Sequence, residues 1–302
     1  MNIPIPSRGT VAERIRVVRN HLSPSELAVA NGIIKNYPTG GLVPIAQLAS
    51  DAKVSGPTVL RLVAKLGFDG YAEFHAALRD EIQKRIFSPV DLYPARTRGG
   101  KLESPTSKAQ AAYYECIRST FSRLDENELQ SAVSALSNPD RPVYIMGGRV
   151  SSVLATHLGT FLSLLRKDVT VVSWEGFSRS AGIIDMGPKS TAVLLDFRHY
   201  QETVVGWGVE AAKRKAHIVV FTDQYLSPLA QHATSLLTCS TEGLNPFDSM
   251  VGAFALAELV ISEVARSLGA PARKRLSDLT AYQLNESENL PKLTPFQRGA
   301  QE

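Results

Sequence analysis

Ser55, Thr58, Arg61 and Lys65 recur three or four residues apart within PIAQLASDAKVSGPTVLRLVAKLGF, residues 44–68. Two hydroxyls, a guanidinium and an ammonium on one helix suit a DNA duplex, because arginine bonds a guanine edge bidentately and Ser, Thr or Lys contact phosphate or base. A second set gathers in two short stretches. Gly147, Gly148, Arg149, Ser151 and Ser152 form GGRVSS, and Asp196, Arg198, His199 and Thr203 belong to DFRHYQET. Glycines let a backbone approach a ligand closely, and serines at a helix start hold an anion. Two arginines beside two helix starts can clamp a phosphate or carboxylate.

The first set requires a helix pair with a tight turn. Ser55 can cap backbone N–H groups, Pro57 sits in the first turn where its missing N–H costs nothing, and Gly67 is a cheap left-handed stop. Val59, Leu62, Val63 and Leu66 follow the spacing of a buried stripe, which leaves Thr58, Arg61 and Lys65 to reach outward. Ile45, Leu48 and Ala49 supply the core face of the preceding helix, and Ala52 and Val54 pack the turn. A solvated amphipathic pair has the same pattern, so charge is needed to separate the two readings. Residues 1–100 hold 13 Lys+Arg against 8 Asp+Glu, whereas the remainder holds 20 against 21. The local basic excess fits a DNA module, since phosphate contacts supply most non-specific affinity.

LSPSELAVANGIIKNYP (22–38), followed by IAQLASDAKVSGPTVLRLVAKLGFDGYAEFHAAL (45–78), resembles the N-terminal domain of the RpiR family of bacterial transcriptional regulators. The specific parts are LSPSE, the IAxLA core, Val54-Ser55 before Thr58-Val59, and KLGF with Tyr71 and Phe74 after it. Gly56-Pro57 and the Leu-Arg-Leu run at 60–62 depart from the family's usual Ser-x-x-Thr-Val-x-Arg-Phe. The resemblance implies a double-stranded DNA operator as partner.

At 302 residues with 44% hydrophobic content, the chain has room for two packed domains. The expected order is a helix-turn-helix domain at 1–86, a linker at 87–108 rich in Pro, Gly, Ser and charge, an α/β domain at 109–270 and a C-terminal tail at 271–302 whose last 25 residues are expected to be mobile. A helical stretch is expected from 109 to about 136. Apolar runs at 143–146, 169–173, 192–197, 218–222 and 235–238 then alternate with helical patterns. The fold class read from this is an all-α helix-turn-helix domain followed by a parallel five-stranded sheet flanked by helices. In such sheets ligands bind beyond the carboxyl ends of the strands, which is where GGRVSS and DFRHYQET fall.

Residues 109–268 resemble a SIS domain, the sugar isomerase fold whose members bind phosphosugars. Ser151 falls where that family places its first phosphate-loop serine. Arg149 replaces a usual second glycine, and DFRHYQET replaces the SxSGxT phosphate cradle, so an anion would be held by Arg149 and Arg198 with Ser151, Ser152 and Thr203 assisting. Plainer roles are open for each residue. Asp196 and Arg198 can form a structural ion pair, Arg149 can cover the mouth of a vestigial pocket, His199 can be a lone exposed histidine, and Asp248 or Ser249 can cap the helix that follows. Trp174 and Trp207 are expected in packing or interfaces.

Three function classes follow: a DNA-binding regulator controlled by a small anionic effector, a regulator whose SIS-like domain is ligand-blind and only dimerises, and a sugar-phosphate isomerase. The helix-turn-helix favours a regulator and no enzyme, because a dedicated isomerase has no evident use for it; Asp196, His199, Glu202 and Glu242 can in principle act as bases, yet no pair has a spacing that singles it out. A homodimer or homotetramer is expected, since a twofold dimer reads two half-sites. Cys116 and Cys239 lack CxxC spacing and read as plain thiols, and neither a metal nor another cofactor is expected. The start MNIPIPSRGT has no signal-peptide pattern and no run of 18 apolar residues occurs, so no membrane partner and a cytoplasmic location are expected.

Overall fold

The computed structural model describes residues 9–86, 104–173, 176–244 and 246–289. Five helices come first: α1 Val11–Val18, α2 Pro24–Lys35, α3 Ile45–Asp51, α4 Gly56–Lys65 and α5 Tyr71–Ile86. Two of their starts are capping boxes written in the sequence. Thr10 accepts the Glu13 N–H while Glu13 accepts the Thr10 N–H, and Ser23 and Glu26 repeat the arrangement before α2. Val11, Ile15, Val29, Ile33, Leu48, Val59, Leu62, Val63, Leu66, Phe74 and Leu78 fill one core among these helices.

The second half alternates: α6 Pro105–Ser122, α7 Glu126–Ser137, β1 Val143–Gly147, α8 Ser152–Leu165, β2 Val169–Val172, α9 Gly176–Ile184, β3 Thr191–Leu195, α10 Glu202–Lys213, β4 His217–Asp223, β5 Ser235–Cys239, α11 Val251–Leu268 and α12 Ala270–Asn289. All strand pairs are parallel, in the order β2-β1-β3-β4-β5. Each expected apolar run is a strand. Period-two alternation sends Ile145, Val193, Leu195, Val219 and Phe221 to the face covered by α7, α8 and α11, and sends Met146, Ala192, Leu194, Ile218 and Val220 to the face carrying Val204 and Trp207 of α10. Trp207 is a packing residue that donates to the Arg179 carbonyl at 3.0 Å; Trp174 lies outside the described residues.

Three expectations change. The helix before the sheet begins at Pro105, and Asp125 caps a separate α7 after a break, so the 109–136 stretch is two helices. Residues 271–289 of the expected tail are helical, as part of α12. Arg275 donates from α12 to the Ser163 carbonyl on α8 at 3.0 Å, which ties α12 to the domain.

The two halves meet through α1. Thr10 donates to the Gln224 carbonyl at 2.9 Å just after β4, Arg16 donates to the Leu236 carbonyl of β5 at 3.2 Å, and Arg123 pairs with Glu13 at 3.0 Å. Ala12 is buried in the α10 side of the sheet core, while Val11 and Ile15 face the helical core. Beside this contact lies a cleft of about 740 Å³ lined by Arg16, Arg19 and Lys35 on one side and Asp125 and Glu128 on the other. No described helix is long and apolar enough to cross a membrane.

Candidate functional site

The helix pair at 45–65 has the geometry that its sequence requires. Lys53 takes a left-handed φ of 55° in the turn, Val54 donates to the Ala49 carbonyl at 2.9 Å, and α4 stops at Gly67 with φ 80°. Val59, Leu62, Val63 and Leu66 are all at most 1% exposed. Pro57, Leu60, Arg61, Ala64 and Lys65 make up the solvent side of α4.

Of the four expected DNA residues, Arg61 is the one left outward with its head available. Thr58 is 5% exposed, a correction to its outward placement. It stands one turn before Leu62 on the same row, so the core claims it, and its hydroxyl accepts from Arg61 Nη2 at 3.0 Å. Ser55 occupies the N-cap position with extended backbone, yet its hydroxyl meets Thr58 Oγ1 at 3.1 Å and makes no capping bond. Lys65 is exposed along its stem, but its ammonium is 2.7 Å from Glu26 Oε2. Burial pushes the Glu26 carboxyl up, and the bonds from Lys65 and Ser23 outweigh it and hold the group below its ordinary value. The ammonium therefore serves α2–α4 packing.

The order β2-β1-β3-β4-β5 puts the topological switch between β1 and β3, and the residues at 147–152 and 196–203 leave the sheet on either side of it. This is where the two candidate ligand stretches meet. A Cβ on Gly147 would lie 2.5 Å from the Ser151 carbonyl oxygen, so only glycine permits the tight turn from β1 into α8. Ser151 is buried and uses its hydroxyl inside the turn, accepting from Gly148 N at 2.8 Å and donating to the Leu195 carbonyl at 2.6 Å. Ser152 donates to the Arg149 carbonyl at 3.3 Å. Arg149 itself is exposed.

On the other side Asp196 is 2% exposed and holds the Ser227 hydroxyl at 2.5 Å and the Gln201 N–H at 3.2 Å. Burial pushes its carboxyl up to about 6, helped by the nearby Asp223 charge and opposed by those two hydrogen bonds. Arg198 does not pair with Asp196, which corrects the expected ion pair. Its guanidinium is bound twice by Asp248, at 2.8 and 2.5 Å, and its N–H donates to the buried Asp223 at 2.5 Å. Asp248 thus clamps a side chain fifty positions away and is not the cap of α11; Ser249 accepts the Val251 N–H at 3.2 Å. Arg198 is consequently committed and not poised as an anion clamp. His199 is exposed with φ 74°, a left-handed conformation rare for non-glycine residues. Taken letter by letter from Asp196, the SxSGxT pattern puts its glycine at His199 and its threonine at Gln201. Thr203, expected to assist, stands exposed two positions further on, beside a groove of about 490 Å³ shared with Arg179, Ile183 and Trp207.

Gln201 is the residue that sequence reasoning missed. Its Oε1 accepts the Arg149 N–H at 3.1 Å, and the same oxygen would lie 2.8 Å from a Cβ on Gly148. The carboxamide therefore sits against the glycine turn, where a ligand oxygen would approach. The Gly148 and Arg149 N–H groups of that turn are satisfied from within the chain. Cys116 and Cys239 are buried free thiols, and burial raises both above the ordinary thiol range.

Two family models match. A helix-turn-helix domain of the rpiR family covers residues 9–85, and a SIS domain covers residues 136–262. The bifunctional protein glk of Paraburkholderia xenovorans (strain LB400) is 40% identical over 73 residues, which is 24% of this chain and 11% of that protein. The chain thus matches only a small part of that relative. Among solved structures, the sugar isomerase domain of an RpiR transcription factor from Sphaerobacter thermophilus is similar over 59% of this chain and 99% of that one, at 22% identity and a TM-score of 0.56. The Vibrio vulnificus NanR protein complexed with ManNAc-6P is similar over 92% of this chain and 99% of that one, at 18% identity and a TM-score of 0.52. At these identities the two structures bear on the fold. With one family model on the helix pair and the other on the parallel sheet, the chain joins a helix-turn-helix domain of the rpiR family to a SIS domain.

Proposed function

We propose that this protein is a cytoplasmic transcription regulator that binds a double-stranded operator as a homodimer or homotetramer and answers to a small anionic sugar derivative. The observation that carries DNA reading is the solvent side of α4, where Arg61 projects with its guanidinium steadied by Thr58 at 3.0 Å. A guanidinium fixed in plane loses less freedom on bonding a guanine edge. Ser55 and Thr58 act in this reading as the support of Arg61, and Lys65 as the support of α4. Twofold assembly follows from the need to span two half-sites a helical turn or its multiple apart.

Effector binding is assigned to the β1–β3 switch, with exposed Arg149 as the side chain available to an anion and Gly147, Gly148 and Ser151 shaping the turn beneath it. The NanR relative complexed with ManNAc-6P supports a sugar phosphate as the class. A ligand-blind assembly domain is the second reading, favoured by one observation: Gln201 already occupies the Arg149 N–H, and Asp248 the Arg198 guanidinium. Catalysis is not part of the proposal, because the buried Asp196 is engaged by Ser227 and Gln201, and the neighbouring carboxylate, Asp223, is engaged by the Arg198 and Tyr225 N–H groups and the Tyr200 hydroxyl. The test is selection of binding sites by the full chain from a randomised duplex pool, repeated with hexose phosphates present. Operator affinity that changes with a sugar phosphate supports sensing; sequence-specific binding indifferent to all of them favours the ligand-blind form. Turnover of any of these sugars would overturn the non-enzymatic assignment.

A further inference from the structure

The solvent side of α4 is poor in hydrogen-bonding groups. Pro57, Leu60, Arg61, Ala64 and Lys65 make it up, and Lys65 is drawn off to Glu26 at 2.7 Å. Thr58 and Ser55 hydroxyls are engaged with each other, and Thr58 also with Arg61. What remains for a DNA groove is one guanidinium set in a strip of aliphatic surface. Leu60 is its centre at 44% exposed, while its neighbours Val59 and Leu62 are fully buried. A single exposed leucine needs no explanation. One placed between Pro57 and Ala64, and adjacent to Arg61, forms a continuous row along the face that an operator would meet.

In the major groove the one apolar feature of a base pair is the 5-methyl group of thymine, which aliphatic side chains read by contact. We propose that Leu60, flanked by Pro57 and Ala64, reads a thymine methyl next to the guanine read by Arg61, and so sets part of the operator sequence. The partner is thus a duplex whose half-site carries thymine beside guanine. This rests on the assignment of α4 to the major groove. The basic excess of the first 100 residues, 13 Lys+Arg against 8 Asp+Glu, supplies the phosphate attraction that such a weakly polar reading face lacks.

The experiment uses the full chain. A preferred duplex is selected from a randomised pool, and each thymine of that duplex is then replaced singly by deoxyuridine, which removes the methyl alone. Wild type, Leu60→Ala and Leu60→Gln are titrated against every duplex by fluorescence anisotropy. In wild type, deoxyuridine at one position per half-site is expected to weaken binding about fourfold, the worth of one buried methyl. That penalty is expected to vanish in both variants, which keep their fold because Leu60 is on the surface. Deoxyuridine that is neutral throughout, or that costs the variants as much as wild type, would overturn the role of Leu60 while leaving operator reading by α4 intact. A full chain that selects no sequence from the pool would overturn the groove assignment itself, and Leu60 with it.

Discussion

Gln201 and Arg149 close the mouth of the sheet between them: the carboxamide oxygen of one accepts the backbone N–H of the other at 3.1 Å, although fifty-two positions separate them. The donor is on the turn that follows β1, the acceptor begins α10 after β3, and the two strands flank the switch point. A side-chain amide thus takes the position that an anion's oxygen would take on a glycine turn.

Removing that oxygen should open the seat. Gln201→Ala is expected to raise the affinity for hexose phosphates about fivefold, the worth of one competing hydrogen bond of about 1 kcal/mol. Titration calorimetry across a panel of hexose 6-phosphates measures it. Equal affinities in variant and wild type would mean that Gln201 does not compete with the effector.

Asp196 makes stability depend on pH with a sign opposite to that of a paired carboxylate. Its folded value of about 6 lies above its ordinary 3.8, so the native state binds the extra proton between those limits. The favourable contribution is complete below pH 3.8 and is lost as pH rises through 6. A shift of about two units corresponds to at most about 3 kcal/mol. Asp196→Asn keeps an acceptor for Gln201 and a group for Ser227, and is expected to flatten this slope in urea melts at pH 4.5, 5.5 and 7. A slope that persists in the variant would assign it to another group.

Breaking the Glu26–Lys65 pair is expected to act on folding and not on phosphate contacts. Lys65→Met leaves Glu26, which is 3% exposed, buried without its cation. Because Lys65 itself is partly in water, the loss is set at about 2 kcal/mol. The salt dependence of DNA binding, read as the slope of affinity against ionic strength, should stay the same. A shallower slope would put Lys65 on a phosphate.

Arg61→Ala is expected to cost about 1 to 3 kcal/mol of operator affinity and to relax preference at one base pair per half-site. Thr58→Val, which keeps the packing and removes the acceptor 3.0 Å from the guanidinium, should lose a smaller part of the same affinity. Competition binding against single-base operator variants distinguishes the two effects. Unchanged preference in Arg61→Ala would take Arg61 out of the interface.

The strands were legible because a parallel sheet covered on both faces leaves continuous apolar runs, as in TAVLL of β3. The helix pair was legible because Pro57 and Gly67 punctuate it locally. Thr58 was misplaced for a physical reason: as a polar residue it reads as outward, yet it heads the row of Leu62 and Leu66, and its hydroxyl is satisfied inside that row by Arg61. The Arg198–Asp248 and Gln201–Arg149 contacts leave no trace in local periodicity, since each joins loops brought together only by the strand order. DFRHYQET does fall where the chain leaves β3 beside the switch point, and His199 there takes a left-handed φ of 74°.

Because α1 gives Ile15 to one core and Ala12 to the other, and fastens Thr10 and Arg16 to the turn after β4 and the edge of β5, the two halves share a cooperative unit across their boundary. Heat should then melt the chain in one calorimetric transition, with the helical half stabilised beyond what its own small core supplies. Loosening α1 by Thr10→Val with Arg16→Met is expected to split that transition in two. A regulator built this way carries its DNA-reading helices on a segment whose own folding is underwritten by the sheet, so any change that reaches β4 or β5 is also a change in how firmly those helices are held.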